Sequence, residues 1–179
     1  MPTHLNMRYA EIEAIWPGVE ALQALAEQYG IKDVFQDAGG KMVQLAIATG
    51  LDLIPTRAGP DAQDRVGNLY EIKTTDLSNV VKPYSGGFTT NHHLTKTTIA
   101  RYRSRRWVFA MYRTITLHEA YLVEAEDLEP VFKKWEKQLK TKTHLNNPKI
   151  PVGLIREVGT VMYMKDVAPD WITGKKEVA

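Results

Sequence analysis

Segments with the composition of β-strands alternate along this chain with segments whose apolar residues recur at helical spacing. Aromatic and β-branched residues mark the strands, and an apolar repeat every three to four residues marks the helices. This interleaved order is typical of α/β layer proteins and predicts a mixed central sheet flanked by helices. The predicted strands are Leu51–Arg57, Leu69–Thr74, Trp107–Tyr112 and Ala120–Val123, followed by a terminal hairpin over residues 152–163.

The helical pattern predicts an N-terminal helical region that runs to Tyr29, with Gly30 in the position of a C-terminal cap. Pro17 predicts a break there and the first turn of a second helix. Residues 78–91 contain Pro83, Gly86 and Gly87 and predict a mobile loop. The other predicted helices are Lys41–Thr49, ended by Gly50; residues 93–103; and Asp127–Lys140, with Leu128, Val131, Phe132, Trp135 and Leu139 on one face.

The composition is that of a globular protein. The chain has 179 residues, of which 44% are hydrophobic and 25% are charged, and this predicts one domain over residues 1–179. The absence of cysteine excludes disulfides and thiolate metal sites. We see no run of 18 apolar residues and no signal-peptide pattern, so we expect a cytoplasmic protein without a membrane span.

Charge is distributed unevenly along the chain. Acidic residues outnumber basic ones over residues 1–72, and basic residues outnumber acidic ones over residues 95–149. Such a division can place carboxylates beside a cationic groove. Ordinary solvated surface charge gives the same pattern, so the net charge of +2 does not by itself identify a nucleic-acid-binding protein.

Three charged residues form the chemical centre of the sequence. Glu71 and Lys73 lie two residues apart on a predicted strand, so their side chains point to the same side while Tyr70 and Ile72 point to the other. Asp61 precedes them in a turn. Two carboxylates can hold Mg²⁺, and a nearby lysine can orient a water molecule or stabilise charge during phosphodiester hydrolysis. An exposed ion pair and a turn aspartate explain the same residues, and Asp64 is a further available carboxylate.

Several segments in one order resemble the PvuII family of type II restriction endonucleases, which belongs to the PD-(D/E)xK nuclease superfamily. The resemblance covers about Glu11 to Tyr163. It is far more specific than the short acidic motif alone, because separate segments match in order. These are DVFQDAGGK (33–41), TGLDLIP (49–55), residues 61–73, FTTNHH (88–93), IARYR (99–103), WVFAMYR (107–113) and NNPKIPV (146–152).

The resemblance implies a PD-(D/E)xK restriction-endonuclease-like fold and a homodimer that binds palindromic double-stranded DNA. It implies that Asp61 and Glu71 are ligands of Mg²⁺ and that Lys73 is the catalytic lysine. Tyr102 matches a tyrosine near the metal site, although a core aromatic is an equal interpretation. Asp37 matches an aspartate that reaches toward the DNA, although it also suits a turn.

The resemblance also implies which residues contact DNA. The residues that match base contacts of the family are His92, His93, Asn146 and Asn147, since histidine and asparagine can bond to base edges in the major groove. Asn91, which departs from the family, is a further candidate DNA contact. Arg103 and Arg105 are expected to contact phosphates, together with some of the neighbouring cations. Without the resemblance, these histidines and asparagines would be predicted as surface and turn residues.

The resemblance suggests the site CAGCTG cut to blunt ends, and a cognate methyltransferase as functional partner. Three departures bear on the outer base preference: Asn91 replaces a third histidine, the 76–87 connection is longer, and a tail after about Met164 is not covered. Two alternatives remain open, a repair or resolving nuclease that reads DNA structure and a DNA-binding module without catalysis.

The N-terminal helical region, about residues 7–30, is predicted to form much of the dimer interface. Its apolar face carries more large side chains than a small core requires, among them Ile12, Ile15, Trp16, Leu22 and Leu25. Packing of the same face on its own domain is the competing interpretation.

Overall fold

A six-stranded mixed sheet lies at the centre of the protein. The computed structural model describes residues 9–36, 38–54, 59–78 and 86–166. The strands are β1 Asp52–Leu53, β2 Ala62–Gln63, β3 Leu69–Asp76, β4 Gly87–Thr89, β5 Arg106–Arg113, β6 Thr116–Val123, β7 Lys149–Pro151 and β8 Thr160–Met164. The α-helices are α1 Tyr9–Gln28, α2 Gly39–Thr49, α3 Lys96–Arg103, α4 Glu129–Gln138 and α5 Val152–Val158, with a 3₁₀ helix at Ala125–Leu128.

The strand order of the sheet is β1-β2-β3-β5-β6-β8, and β5 is one of its inner strands. It pairs in parallel with β3, from Tyr70 opposite Arg106 to Asp76 opposite Tyr112, and antiparallel with β6. Residues 107–112 are all buried, because helices cover both faces of the sheet. A strand covered on both faces is apolar without alternation. The predicted mixed central sheet flanked by helices is confirmed.

The two faces of β5 belong to two separate hydrophobic clusters. In the first cluster, Trp107 and Phe109 pack with residues of α3, α4 and α5. In the second cluster, Val108 and Ala110 pack with Leu45 of α2 and with β3. The predicted apolar face of the 127–140 segment packs in the first cluster, and it is confirmed. The predicted end of α2 at Gly50 is also confirmed, because this glycine has the left-handed conformation of a C-terminal cap.

Three predictions about individual segments are wrong in part. Helix α1 is continuous, with Pro17 inside it. Its residues 11–18 are exposed, so the backbone carbonyl that the proline leaves without an N–H can bond to water. The predicted strand 51–57 is paired only at Asp52–Leu53 among its described residues, and the predicted loop 78–91 contains β4.

The predicted terminal hairpin is instead a helix followed by a strand, α5 and β8. Its apolar residues are compatible with either structure, and burial of Val152 and Ile155 on one helical face decides between them. Gly159 allows the tight connection, since a Cβ there would lie 2.6 Å from the carbonyl oxygen of Ile155. Asp37, the end of the predicted strand at 55–57, part of the predicted loop (79–85) and the tail from 167 lie outside the described residues.

Within the described ranges, no helix is both long enough and apolar enough to cross a membrane.

Candidate active site

The acidic site is built where β2 meets β3. Asp61 lies immediately before β2, and its backbone N–H donates to the carbonyl oxygen of Tyr70 (2.9 Å). Its carboxylate in turn accepts from the backbone N–H of Ile72 (2.7 Å). These two bonds attach Asp61 to β3 at Tyr70 and at Ile72, the residues on either side of Glu71. Its side chain is therefore fixed beside the strand that carries Glu71.

Strand alternation places Glu71 and Lys73 together, as predicted from their spacing. Tyr70 and Ile72 are buried in the second hydrophobic cluster. Lys73 Nζ lies 2.7 Å from Glu71 Oε1. Glu71 is the only charged or polar residue that is buried among the described residues, with 6% of its surface exposed. A buried carboxylate needs partners, because an unpaired charge out of water is costly.

The second oxygen of Glu71 is also occupied. Arg105, in the short connection between α3 and β5, donates from Nη1 to Glu71 Oε2 at 2.9 Å. The same nitrogen donates to the carbonyl oxygen of Gly59 at 2.7 Å. The sequence predicted Arg105 as a phosphate contact; the structure places its guanidinium within the acidic site. That phosphate contact stays a prediction.

The pKa of Asp61 is shifted by its burial and by the charged groups around it. Burial raises the pKa of the Asp61 carboxyl above its ordinary value, and the nearby negative charge of Glu71 raises it further. The Ile72 N–H, Lys73 and Arg105 act in the opposite direction. Two adjacent, poorly solvated carboxylates are stabilised by a cation placed between them.

The donor set of this site fits a hard divalent cation. Both candidate ligands are carboxylates, and Mg²⁺ prefers oxygen and retains several waters when it is bound by one or two carboxylates. In the part of the chain that the structure describes, no group of three or more histidine, cysteine, aspartate or glutamate side chains is arranged to hold a metal. Asp61 and Glu71 fit a cation that takes one or two carboxylate ligands from the protein and completes its coordination with water.

Asp64, the other available carboxylate, is engaged elsewhere. It accepts from the backbone N–H groups of Val66 and Asn68 and from the Asn68 amide, and Tyr70 donates its hydroxyl to it at 2.9 Å. These bonds, that of the Asn68 side chain foremost, lower the pKa of Asp64 to about 2. Asp64 thus closes the turn between β2 and β3, and Asp61 is the carboxylate beside Glu71.

Tyr102 lies on α3 and is a core aromatic, while its role near a metal stays a prediction. It is buried in the first cluster, with its ring edge against Trp107. Burial, followed by the negative charge of Glu71, raises the pKa of Tyr102 to about 12. The hydroxyl therefore stays protonated at neutral pH. A protonated phenol is a hydrogen-bond donor and not a general base at this pH.

The predicted base-contacting residues come from two distant segments that the structure brings together. β4 and β7 pair as a two-stranded sheet, and Leu94 and Leu145 exchange backbone hydrogen bonds of 2.9 Å beyond it. The Asn147 N–H donates to the Asn91 carbonyl oxygen at 3.0 Å. This pairing leaves four of the predicted base-contacting residues exposed, His92, His93, Asn146 and Asn147.

Asn91 connects this surface to the acidic site. Its side-chain oxygen accepts from the backbone N–H of His93 (3.0 Å), and its side chain is near enough to Tyr102 to act on the pKa of that hydroxyl, in the lowering direction. Asn91 is half-buried, unlike the two histidines that follow it. The structure therefore gives Asn91 a connecting position between the exposed histidines and the residues around Glu71.

His144 is a member of this surface that the sequence analysis missed. Its ring lies edge-on to that of His93, with the ring centroids 4.4 Å apart. His144 precedes the NNPKIPV segment and has no pattern of its own. Only the pairing of Leu94 with Leu145, the residues that follow these two histidines, brings them side by side.

Arg103 is engaged in an ion-pair network on α3 and α4. It donates to both carboxylate oxygens of Glu129 and of Glu136, at 2.6–3.1 Å. These glutamates raise the pKa of the guanidinium, and their charges compete with any phosphate. The predicted phosphate contact of Arg103 stays a prediction, and Asp37 lies outside the described residues.

A mixed sheet between helical layers, with two carboxylates and a lysine grouped at β3, fits the PD-(D/E)xK nuclease fold that the sequence predicts. The family model described as restriction endonuclease PvuII matches residues 7–163. The chain therefore belongs to the PvuII restriction endonuclease family. It is accordingly a type II restriction endonuclease, a site-specific hydrolase whose substrate is DNA.

The raised pKa of Asp61 gives a prediction about stability. A group whose pKa is raised by folding stabilises the folded state fully below its unfolded pKa and loses that contribution as pH rises through the folded value. In EDTA, Asp61→Asn should raise Tm at neutral pH by a few degrees, since about 1 kcal/mol corresponds to roughly 2–4 °C in a domain of this size. The difference from the wild type should shrink as pH falls toward 4.

Melting curves of both proteins in EDTA from pH 4 to pH 8 measure this effect. Asparagine keeps an oxygen that can accept from Ile72, so the substitution removes the charge and preserves the bond. Asp64→Asn is the matched control and should lower Tm, because Asp64 has the opposite pKa shift. A lower Tm for Asp61→Asn at neutral pH would contradict the prediction.

Proposed function

We propose that this protein is a homodimeric, Mg²⁺-dependent endonuclease that cuts both strands of a short palindromic DNA site. Asp61 and Glu71 hold the metal, and Lys73 acts at the reacting phosphate. The observation that carries the proposal is the placement of Lys73 Nζ at 2.7 Å from Glu71, with the Asp61 carboxylate bonded to the N–H of Ile72 between them. Binding alone gains nothing from carboxylates directed at phosphate, so the site favours hydrolysis.

The chemistry divides between the metal and the protein. When bound, Mg²⁺ supplies charge that offsets the phosphate and acidifies water. Lys73 orients the attacking water or stabilises the charge that develops on the phosphate oxygens. Tyr102 donates from its protonated hydroxyl near the same carboxylates. Burial of Glu71 strengthens these interactions, because electrostatic effects are larger where water is excluded.

The base-contacting surface supports sequence-specific cutting. His92, His93, Asn146 and Asn147 are exposed together on the paired segments around β4 and β7. Asparagine and histidine offer the donors and acceptors that distinguish bases in the major groove. We propose CAGCTG, cut to blunt ends, as the site, and a cognate methyltransferase that protects the same sequence in the host. Such a nuclease would act in the cytoplasm as a single domain, residues 1–179.

Substitutions at the proposed base contacts should change the sequence preference of cleavage. Asn147→Ala should reduce discrimination at one base pair by about 1–3 kcal/mol, the usual value of a bidentate base contact. Asn91→His should produce a smaller shift at the edge of the site, because Asn91 is half-buried and bonded to its neighbours. Cleavage of a library of randomised sites by each protein measures both effects. Lys134→Ala on the exposed face of α4 is the control and should leave the profile unchanged.

Identical site profiles for the wild type and Asn147→Ala would remove Asn147 from the base contacts. Identical profiles for Asn91→His would mean that Asn91 only connects the surface to Tyr102.

Digestion of plasmid DNA tests the proposed function as a whole. With Mg²⁺ we expect discrete bands, and with EDTA no cutting. Ca²⁺ should support binding with little cutting, because it coordinates loosely and activates water poorly. Non-specific degradation would instead indicate a nuclease that reads DNA structure. A mobility shift without cutting in Mg²⁺ would indicate a binding module.

A further inference from the structure

The acidic site contains a second cation that the nuclease chemistry does not require. Arg105 Nη1 lies 2.9 Å from Glu71 Oε2, and 10% of the arginine side chain is exposed. Lys73 occupies Oε1 of the same carboxylate. Each oxygen of Glu71 is therefore in contact with one cationic side chain. A divalent cation that binds through Glu71 competes with these two side chains for the negative charge of the carboxylate.

Of the two cationic side chains, Arg105 is the one that can break its contact with Glu71 and still be held in the site by another bond. Lys73 is on the same strand as Glu71, two residues away on the same side. Arg105 comes from the connection between α3 and β5, and the nitrogen that contacts Glu71 also donates to the carbonyl oxygen of Gly59 at 2.7 Å. Gly59 stands two residues before Asp61. The guanidinium can release Glu71 and remain bonded to the segment that carries the other carboxylate.

We propose that Arg105 is a positioning residue that holds Glu71 Oε2 until a divalent cation replaces it, and that it thereby sets the metal concentration at which the site fills. The inference rests on the proposed function, since it takes Asp61 and Glu71 as the metal ligands. With Lys73 and Arg105 present, the two carboxylates are balanced by two cations. Removal of Arg105 leaves the site with one excess negative charge and a free carboxylate oxygen, and both changes favour a divalent cation.

The test measures metal binding without DNA, with Ca²⁺ alone as the probe. A ligand that binds only the folded state raises Tm with its concentration, so melting curves over a Ca²⁺ titration report affinity. Arg105→Gln should lower Tm in EDTA and bind Ca²⁺ at least about tenfold more tightly than the wild type, the equivalent of about 1.4 kcal/mol. Arg105→Lys keeps the charge and should return the Ca²⁺ affinity toward the wild-type value.

Arg106→Gln is the matched control. Arg106 is the adjacent residue and is also ion-paired, but its partners are Glu124 and the Tyr70 hydroxyl rather than Glu71. Its replacement should lower Tm in EDTA and leave the Ca²⁺ affinity unchanged. Isothermal titration calorimetry of the same proteins gives an independent affinity.

Two outcomes separate this inference from the proposed function. Equal or weaker Ca²⁺ binding by Arg105→Gln, with binding abolished in Glu71→Gln, would overturn the role of Arg105 and leave the metal site intact. Undiminished Ca²⁺ binding by Glu71→Gln, or no Ca²⁺ effect on any of the proteins, would remove the metal site and this inference with it.

Discussion

Asp61→Asn, Glu71→Gln and Lys73→Ala should each abolish detectable cleavage while the protein remains folded. The two carboxylate substitutions each remove a proposed metal ligand. Lys73→Ala removes the proposed charge at the phosphate, and loss of one such group typically costs about 10²–10³ in kcat. Single-turnover cleavage of a labelled duplex measures the effect, and melting curves verify the fold.

Asp64→Asn is the control for the carboxylates. It changes an aspartate three residues from Asp61 that closes a turn instead of facing Glu71. We expect lower stability and a cleavage rate within a few-fold of the wild type. Near-wild-type cleavage by Lys73→Ala would rule out its catalytic role. Full loss of cleavage in Asp64→Asn with an unchanged fold would reopen the choice of carboxylate.

Ile15→Lys and Trp16→Glu should convert the proposed dimer to a monomer and abolish double-strand cutting. Two-fold symmetric DNA matches an isologous dimer, in which each subunit presents the same surface to a half-site. The first half of α1 is exposed in the single chain, with Ile15 60% and Trp16 45% accessible. Trp16 also stacks on Phe35, which is 72% exposed. A contiguous exposed apolar surface of this kind is typical of protein interfaces.

Sedimentation of the wild type and both variants at micromolar concentration measures the change. Ile115→Lys is the matched control, because Ile115 is also apolar and 70% exposed but belongs to the turn between β5 and β6 rather than to α1. It should leave the dimer intact. A monomeric wild type, or dimers unaffected by both α1 substitutions, would refute this interface.

The second half of α1 shows why the sequence alone could not decide between a dimer interface and packing within the chain for the apolar face of this helix. Ala26 is buried with Val34 and Val43, and Leu25 packs against the same cluster, so this part contributes to the fold of its own chain. Ile12, Ile15 and Trp16 use the same helical spacing but stay exposed. Periodicity gives the direction of a side chain and cannot state what covers it.

The sheet and the acidic site were largely predictable because their signals are local. Alternation within β3 directs Glu71 and Lys73 to one side, and it depends only on neighbouring residues. The choice of Asp61 over Asp64 depends on hydrogen bonds to Ile72, Asn68 and Tyr70 that short motifs do not encode. The α5 segment was mispredicted because its apolar content suits a strand or a helix, and tertiary packing decides.

The contacts of the arginines and of His144 could not be predicted, since they join elements distant in sequence. Arg105 contacts Glu71 across 34 residues, made possible by the parallel pairing of β3 with β5. Arg103 contacts Glu129 and Glu136 on α4 instead of being free for phosphate. A basic run in a sequence therefore indicates available charge without indicating which of its members are already paired.

Sequencing of all DNA ends produced from a genome by the purified protein in Mg²⁺ tests the central claim most directly. The ends should share one six-base palindrome, CAGCTG, cut at its centre on both strands, and their number should fall to background with Glu71→Gln or EDTA. Ends with no common sequence, or ends that persist undiminished with Glu71→Gln, would contradict the assignment of site-specific cleavage to this acidic centre.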